Sequence, residues 1–265
     1  MIKIYIVDAF VTKQDFSGNP AGVCLLESWQ PDSWMQNIAA EMNHAETAFV
    51  ISNAATFSIR YFTPTIEVPL CGHATLAAAH VLWHEAIVSP YEDIHFHAKG
   101  GVLLAQQQTQ DYIQLDFPAA TAEHIQNFDK SILERLALNP VSIYQADRDI
   151  VYQLANEQAV QTYQPDVQLM QTLPFRMHII TAKSDQLGVN FVSRVFAPAA
   201  GIDEDSATGI AQCILAPLWA HKLQLNSLST LQLSTRGAAF KLTLANNRVQ
   251  LAGKTRLILQ GNLYI

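Results

Sequence analysis

The chain has 265 residues, which at about 150 residues per domain fits one large domain or two of medium size. Hydrophobic residues make up 49% and charged residues 15%, so there is enough apolar surface to offset the entropy of folding, and disorder is excluded. Sixteen Lys and Arg against 23 Asp and Glu leave a net charge of -7, the wrong sign for binding a phosphate backbone, so nucleic acid is not expected as a partner.

The opening MIKIYIVDAF carries one lysine and a short apolar run with no small-residue cleavage pattern, and reads as a first strand rather than a signal peptide. Asp32 is placed to cap a helix running through Trp34, Ile38 and Met42, and ETAFVI (46 to 51) and FSIRYF (57 to 62) read as strands. After Pro69 the alanine-rich GHATLAAAHVLWHEA reads as a helix beginning near Cys71. Its most apolar part, 74 to 83, is half the length needed to cross a bilayer and contains His80, so no membrane span is expected. IHFHA, GVLLAQ and YIQLDF follow as strands, and 116 to 121 is the best domain boundary, dividing the chain into 1–116 and 117–265. The second part repeats the vocabulary: a helix at 129–137, strands near 141–145, 151–155, 177–181 and 190–196, a helix from about Ala207, and a tail of short strands. Cys24, Cys71 and Cys213 are too few and too scattered for a disulfide framework, which points to reduced thiols and a cytoplasmic setting.

Strands far outnumber helices in each half, so the expected class is α+β, with mixed sheet wrapped on a long helix. The halves also resemble each other. Arg60, Phe62 and Pro64 recur at one offset as Arg194, Phe196 and Pro198, and each set precedes a short acidic segment and a helix start. A duplication would point two helix amino termini, with their unsatisfied N–H groups, into a cleft between the halves, a setting for a carboxylate. Neither G-x-G-x-x-G nor G-x-x-x-x-G-K-[ST] occurs, so no nucleotide cofactor is expected.

Three titratable residues stand at element ends. Glu46 opens an apolar strand, where a carboxylate at the edge of an apolar cleft has its charged form disfavoured and its pKa raised towards that of a useful general base. His73 has an imidazole near a helix start, and Asp205 precedes another. Taken singly, they are an exposed strand end, a capping or packed histidine and an ordinary N-cap. His80 with His84, and His95 with His97, have neither the glutamate of H-E-x-x-H nor a third ligand in spacing, and no metal is expected. Gly18-Asn19-Pro20 by itself is a turn signal.

VDAF (7–10), GNPAGV (18–23), NHAETAF (43–49), EVPLCGHAT (67–75) and DEDSATG (203–209), spread in order over both halves, resemble the phenazine-biosynthesis PhzF-like isomerases. The resemblance implies a diaminopimelate epimerase-like fold: two pseudo-symmetric α+β domains, each a mixed sheet or barrel around a central helix, with the active site between them. It implies cofactor-free proton transfer at carbon, with Glu46 as proton carrier and His73 and Asp205 lining the site. Asn19, Cys71, Gly72, Ser206, Thr208 and Gly209 would bind a small carboxylated, amino-bearing substrate, and the chain would form a homodimer. Cys71 and Ser206 fall at helix starts comparable to those carrying catalytic cysteines in racemase relatives. The phenazine enzymes have proline after the aspartate and serine five positions beyond it; here Ser206 and Ile210 stand there, which separates this chain from the phenazine substrate. A scaffold that binds a small acid without turnover is the alternative reading, and a metal-dependent hydrolase is a third.

Overall fold

The computed structural model describes residues 2–53 and 55–265. The chain divides into two compact units, one made of the residues up to Phe117 together with Gln250–Ile265, the other of Pro118–Val249. The first boundary falls one residue from the expected one. The expectation that everything after it forms the second half is corrected, because the carboxy-terminal segment belongs to the first unit.

The first unit contains β1 (Ile2–Ala9), β2 (Asn19–Leu26), α1 (Asp32–Met42), β3 (Glu46–Asn53), β4 (Thr56–Phe62), β5 (Glu67–Val68), α2 (Gly72–His84), β6 (Ile94–Ala98), β7 (Gly101–Gln107) and β8 (Tyr112–Pro118). The second runs through β9 (Glu123–His124), α3 (Lys130–Arg135), β10 (Ser142–Ala146), β11 (Asp149–Gln153), α4 (Glu157–Thr162), α5 (Val167–Thr172), β12 (Met177–Lys183), β13 (Phe191–Ala197), β14 (Ile202–Asp205), α6 (Gly209–Leu223), β15 (Ser227–Gln232) and β16 (Ala238–Ala245). The last strand, β17 (Arg248–Leu263), gives most of its length to the first unit.

In the first unit β1 pairs antiparallel with β2, β2 parallel with β3, β3 antiparallel with β4, and β4 antiparallel with β5 and parallel with β6. β6 continues antiparallel to β7 and β7 to β8. β17 pairs with β8 and lies antiparallel to β1 from Leu263 opposite Ile2 to Thr255 opposite Ala9, which closes an eight-stranded ring. Without β17, β1 and β8 would each present an open edge of unpaired backbone groups. That is why the end of the tail, read as short strands, is one long strand, whereas β15 and β16 before it are the separate short strands expected.

Helix α2 packs against β1, β2, β3 and β7, and its Ala74, Leu76, Ala77, Ala78, Ala79 and Val81 are fully buried. Small side chains let a helix sit within the ring. On the other face of the sheet, Met35, Ile38 and Ala39 of α1 cluster with Ile4, Cys24, Leu26, Phe49 and Phe62. β2 and β3 are therefore covered on both faces, which accounts for their continuous apolar runs. Asp32 lies in the first turn of α1, with Pro31 as N-cap, and its carboxylate accepts from Arg60 at 2.9 Å instead of capping. Gly18 is required by its backbone: φ is +80°, and a Cβ would lie 2.3 Å from the Ala9 carbonyl oxygen.

The second unit repeats this pairing scheme. β10 is antiparallel to β11, β11 parallel to β12, β12 antiparallel to β13, and β13 antiparallel to β14 and parallel to β15, which is antiparallel to β16. α4 and α5 pack with the strands in a cluster that includes Val160, Leu169, Met170, Ile180 and Phe196. A matching ion pair marks the repeat. Arg60 of β4 meets Glu67 of β5 at 2.8 Å with its guanidinium over Phe62, and Arg194 of β13 meets Glu204 of β14 at 2.7 Å over Phe196. Both units are thus α+β and follow one plan. No helix among the described residues is long and apolar enough to cross a membrane.

Candidate active site

The site is built where three turns of the first unit end. Asn43, in the left-handed conformation (φ 50°, ψ 35°), stops α1, with its N–H bonded to the Ala39 carbonyl, and turns the chain into β3. Glu46 is the first residue of that strand, its side chain 14% exposed. Asn19 opens β2 and is buried beside the tight Gly18 turn. Cys71 is the extended N-cap of α2, and His73 is the second residue of the helix.

These residues converge on one imidazole. His73 Nε2 lies 3.2 Å from Glu46 Oε2, while Nδ1 faces the Asn19 amide nitrogen at 3.5 Å and Cys71 Sγ at 3.4 Å. The Glu46–His73 approach is at ion-pair distance, and Nε2 makes no aligned hydrogen bond there. An amide N–H and a thiol on the Nδ1 side both donate, so a neutral ring accepts at Nδ1 and carries its proton on Nε2, towards the carboxylate. Below the site, Thr75 Oγ1 donates to the Cys71 carbonyl at 2.6 Å and meets the Tyr61 hydroxyl at 2.6 Å, fixing the first turn of α2. Burial pushes the Tyr61 hydroxyl far above its usual pKa, so it stays protonated. No side chain caps α2, which leaves the N–H groups of its first turn available to an anion.

The corresponding turn of the second unit carries a different set. α6 begins at Gly209 with Thr208 as N-cap, and Asp205 closes β14. Thr208 Oγ1 donates to the Asp205 carboxylate at 2.6 Å. Gln232 accepts from the Thr208 N–H at 2.9 Å and donates to the Asp205 carbonyl at 2.7 Å. Asp205 is therefore held by the cap and is not itself the cap. Ser206 lies before the helix, its carbonyl accepting from Ser234 Oγ at 2.8 Å, so Thr208 and not Ser206 occupies the position equivalent to Cys71. Ile210 stands where the first unit has His73 and is 40% exposed. Gln232 had no motif to announce it, since it lies on a strand 24 residues beyond Thr208.

The structure thus brings Asn19, Glu46, Cys71 and His73 together in the first unit, with Gly72 at the same helix start, and gathers Asp205, Ser206, Thr208 and Gly209 around the other. The remaining histidines behave differently. His80 and His84 stack at 6.0 Å, His80 bonds Thr255 at 2.8 Å, and burial pushes its pKa down to about 4. His95 and His97 face outward on β6.

Residues 7–261 match the family model described as phenazine biosynthesis-like protein. The chain is 41% identical to an uncharacterized isomerase from Pseudomonas aeruginosa over 262 residues, covering 99% of this chain and 98% of the relative. Its structure is similar to that of a PhzF family protein from Enterococcus faecalis, with 37% identity, a TM-score of 0.93, and coverage of 100% of this chain and 99% of the other. A hydroxyproline epimerase from Agrobacterium vitis shares the fold at a TM-score of 0.65 and 9% identity, over 98% of this chain and 91% of that one.

Proposed function

The chain belongs to the phenazine biosynthesis-like family of isomerases, and from that premise we propose that it moves a proton between carbon positions of a small carboxylated, amino-bearing metabolite without a cofactor. The observation that carries the reading is the half-buried Glu46 carboxylate set 3.2 Å from His73 at a helix start that no side chain caps.

In this reading Glu46 is the mobile proton carrier. It removes a proton from carbon and returns it to the same carbon or to a neighbouring conjugated one. His73, protonated on Nε2 because Asn19 and Cys71 occupy Nδ1, stabilises the carboxylate when it is charged and orients it. The uncapped N–H groups at Gly72 and His73 receive the substrate carboxylate, where negative charge spreads as the C–H bond breaks. Asp205, oriented by Thr208, takes the amine or hydroxyl, and Gly209 offers an N–H at the start of α6, the Thr208 N–H being held by Gln232. Ile210 gives that end an apolar side chain, which suits a substrate lacking a polar group there. The three cysteines, buried and outside any disulfide, fit a reducing cytoplasm, and a homodimer is the proposed assembly.

The test is exchange of carbon-bound hydrogen with solvent deuterium across a panel of small amino and hydroxy acids, followed by NMR. Incorporation into one chemical class, abolished by Glu46→Gln, is expected. A Glu46→Gln variant that exchanges as fast as the parent would remove Glu46 from the mechanism. Tight binding of acids with no exchange by the parent protein would select the non-catalytic scaffold.

A further inference from the structure

Glu46, Cys71 and His73 share a property that proton transfer does not use. With each offering one ligand atom (carboxylate oxygen, Sγ or ring nitrogen), the three atoms all lie within 4.8 Å of one another. Glu46 Oε2 stands 3.2 Å from His73 Nε2 and Cys71 Sγ 3.4 Å from the other ring nitrogen, Nδ1, so one ring nitrogen has both partners within that 4.8 Å limit. Ligands around tetrahedral zinc, at bond lengths of about 2.0–2.3 Å, stand roughly 3.3–3.8 Å apart. Side-chain shifts of about an ångström therefore close the set around one ion.

The surroundings favour such an ion. His73 is 6% exposed, and its Nε2, buried 3.2 Å from Glu46 Oε2, makes no aligned hydrogen bond there, so a cation held between the two atoms would give both a partner of better geometry. A thiolate and a carboxylate together cancel the two positive charges of the cation, which removes the main cost of burying it. A sulfur, a nitrogen and an oxygen donor suit zinc and its thiophilic neighbours, whereas magnesium and calcium require oxygen. Three protein ligands leave the fourth position open.

We propose that Glu46, Cys71 and His73 form a binding site for a thiophilic divalent cation of the zinc class, whose occupancy silences the proton carrier. The silencing rests on the reading of Glu46 given above: a carboxylate oxygen committed to a metal cannot accept a proton from carbon. The cation site itself stands independently of that reading. Binding releases the Cys71 proton and moves the His73 ring proton from Nε2 to Nδ1, leaving the ring neutral, so affinity rises with pH.

Titration of the full-length, metal-free protein with Co²⁺, followed by optical absorption, tests the site without any substrate. A thiolate-to-cobalt charge-transfer band that saturates at one equivalent and is bleached by Zn²⁺ is expected. It should be absent in Cys71→Ser and retained in Glu46→Gln, with affinity lower by about tenfold or more. His73→Gln, with Cys71 intact, provides a second variant in which the band should be lost or weakened to the same degree. No band in the parent protein, or a band that survives Cys71→Ser, overturns the site. The latter would place the ion on another thiol, although burial pushes the Cys24 thiol up to about 12. Zn²⁺ should stop deuterium exchange over the concentration range of the optical titration, and exchange persisting at saturation overturns the silencing. Absence of exchange in the metal-free protein removes the isomerase reading and the silencing with it, while the cation site is judged by the optical titration alone.

Discussion

His178 makes the second unit sensitive to mild acid. It is fully buried on β12, stacked on Tyr152 at 6.2 Å and met edge-on by Phe175 at 5.6 Å, with Nε2 3.2 Å from the Met170 carbonyl. Burial pushes its pKa from 6.5 down to about 4, the carbonyl offsetting only part of the effect. The sign follows from linkage. Between these values the unfolded chain binds a proton that the folded chain refuses, so stability is complete above about 6.5 and falls as the pH drops towards 4. From 6.5 to pH 5 is about 1.5 units, worth about 2 kcal/mol at 1.36 kcal/mol per unit. That is a sizeable part of a typical stability of about 5–15 kcal/mol. Carboxylates with unfolded values near 4 contribute little to a difference measured above pH 5. Urea unfolding at pH 7 and pH 5, followed by the fluorescence of Trp219 in the same unit, measures the slope. His178→Gln keeps a neutral donor for the Met170 carbonyl and should shrink the loss between the two pH values by about 2 kcal/mol. An unchanged pH slope in the variant would refute the claim that burial of this ring penalises its charged form.

Glu46→Gln should lower deuterium exchange by about 10²–10⁴-fold while leaving thermal unfolding nearly unchanged, since the substitution is isosteric at a half-buried position; differential scanning calorimetry run beside the exchange assay checks both. Arg194→Met should cost about 3–5 kcal/mol in chemical denaturation, because it leaves Glu204 and the carbonyls of Val160 and Tyr163 without the guanidinium they now share. The double variant Arg194→Met, Glu204→Gln should recover part of that loss. A chain ending at Gly253 loses the β17 residues that pair with β1, and limited proteolysis should then cut the first unit rapidly while the intact chain resists.

How much was legible follows the range of the interactions. Helix α2 announced itself through its alanines and the Pro69 stop, and β3 and β4 through β-branched and aromatic runs, because these are local preferences. β2 was hidden: GNPAGVCLL reads as a turn followed by a run, yet Asn19–Leu26 forms a strand because β1 and β3 flank it and both of its faces are covered. The helices α4 and α5 were missed for a related reason. Each is six residues long, too short for a periodicity to show; α4 is secured by packing onto β12 and β13, and α5 by packing onto the turn at Pro198–Ala200. The offset that matched Arg60 to Arg194 did not extend to the helix starts. Arg194 follows Arg60 by 134 residues, but Gly209 follows Gly72 by 137, and this shift led to Ser206 rather than Thr208 being set against Cys71.

Sequence alone determined the class of the protein, the repeat of its halves and the residue types able to move a proton, because composition, strand periodicity and motif order are written along the chain. Tertiary structure decided what surrounds them. Only folding brings Glu46, Cys71 and Asn19 onto His73 from three separate turns, and sends the last strand back to the first unit. Both are long-range closures, set by pairing partners and burial that no neighbouring residue encodes.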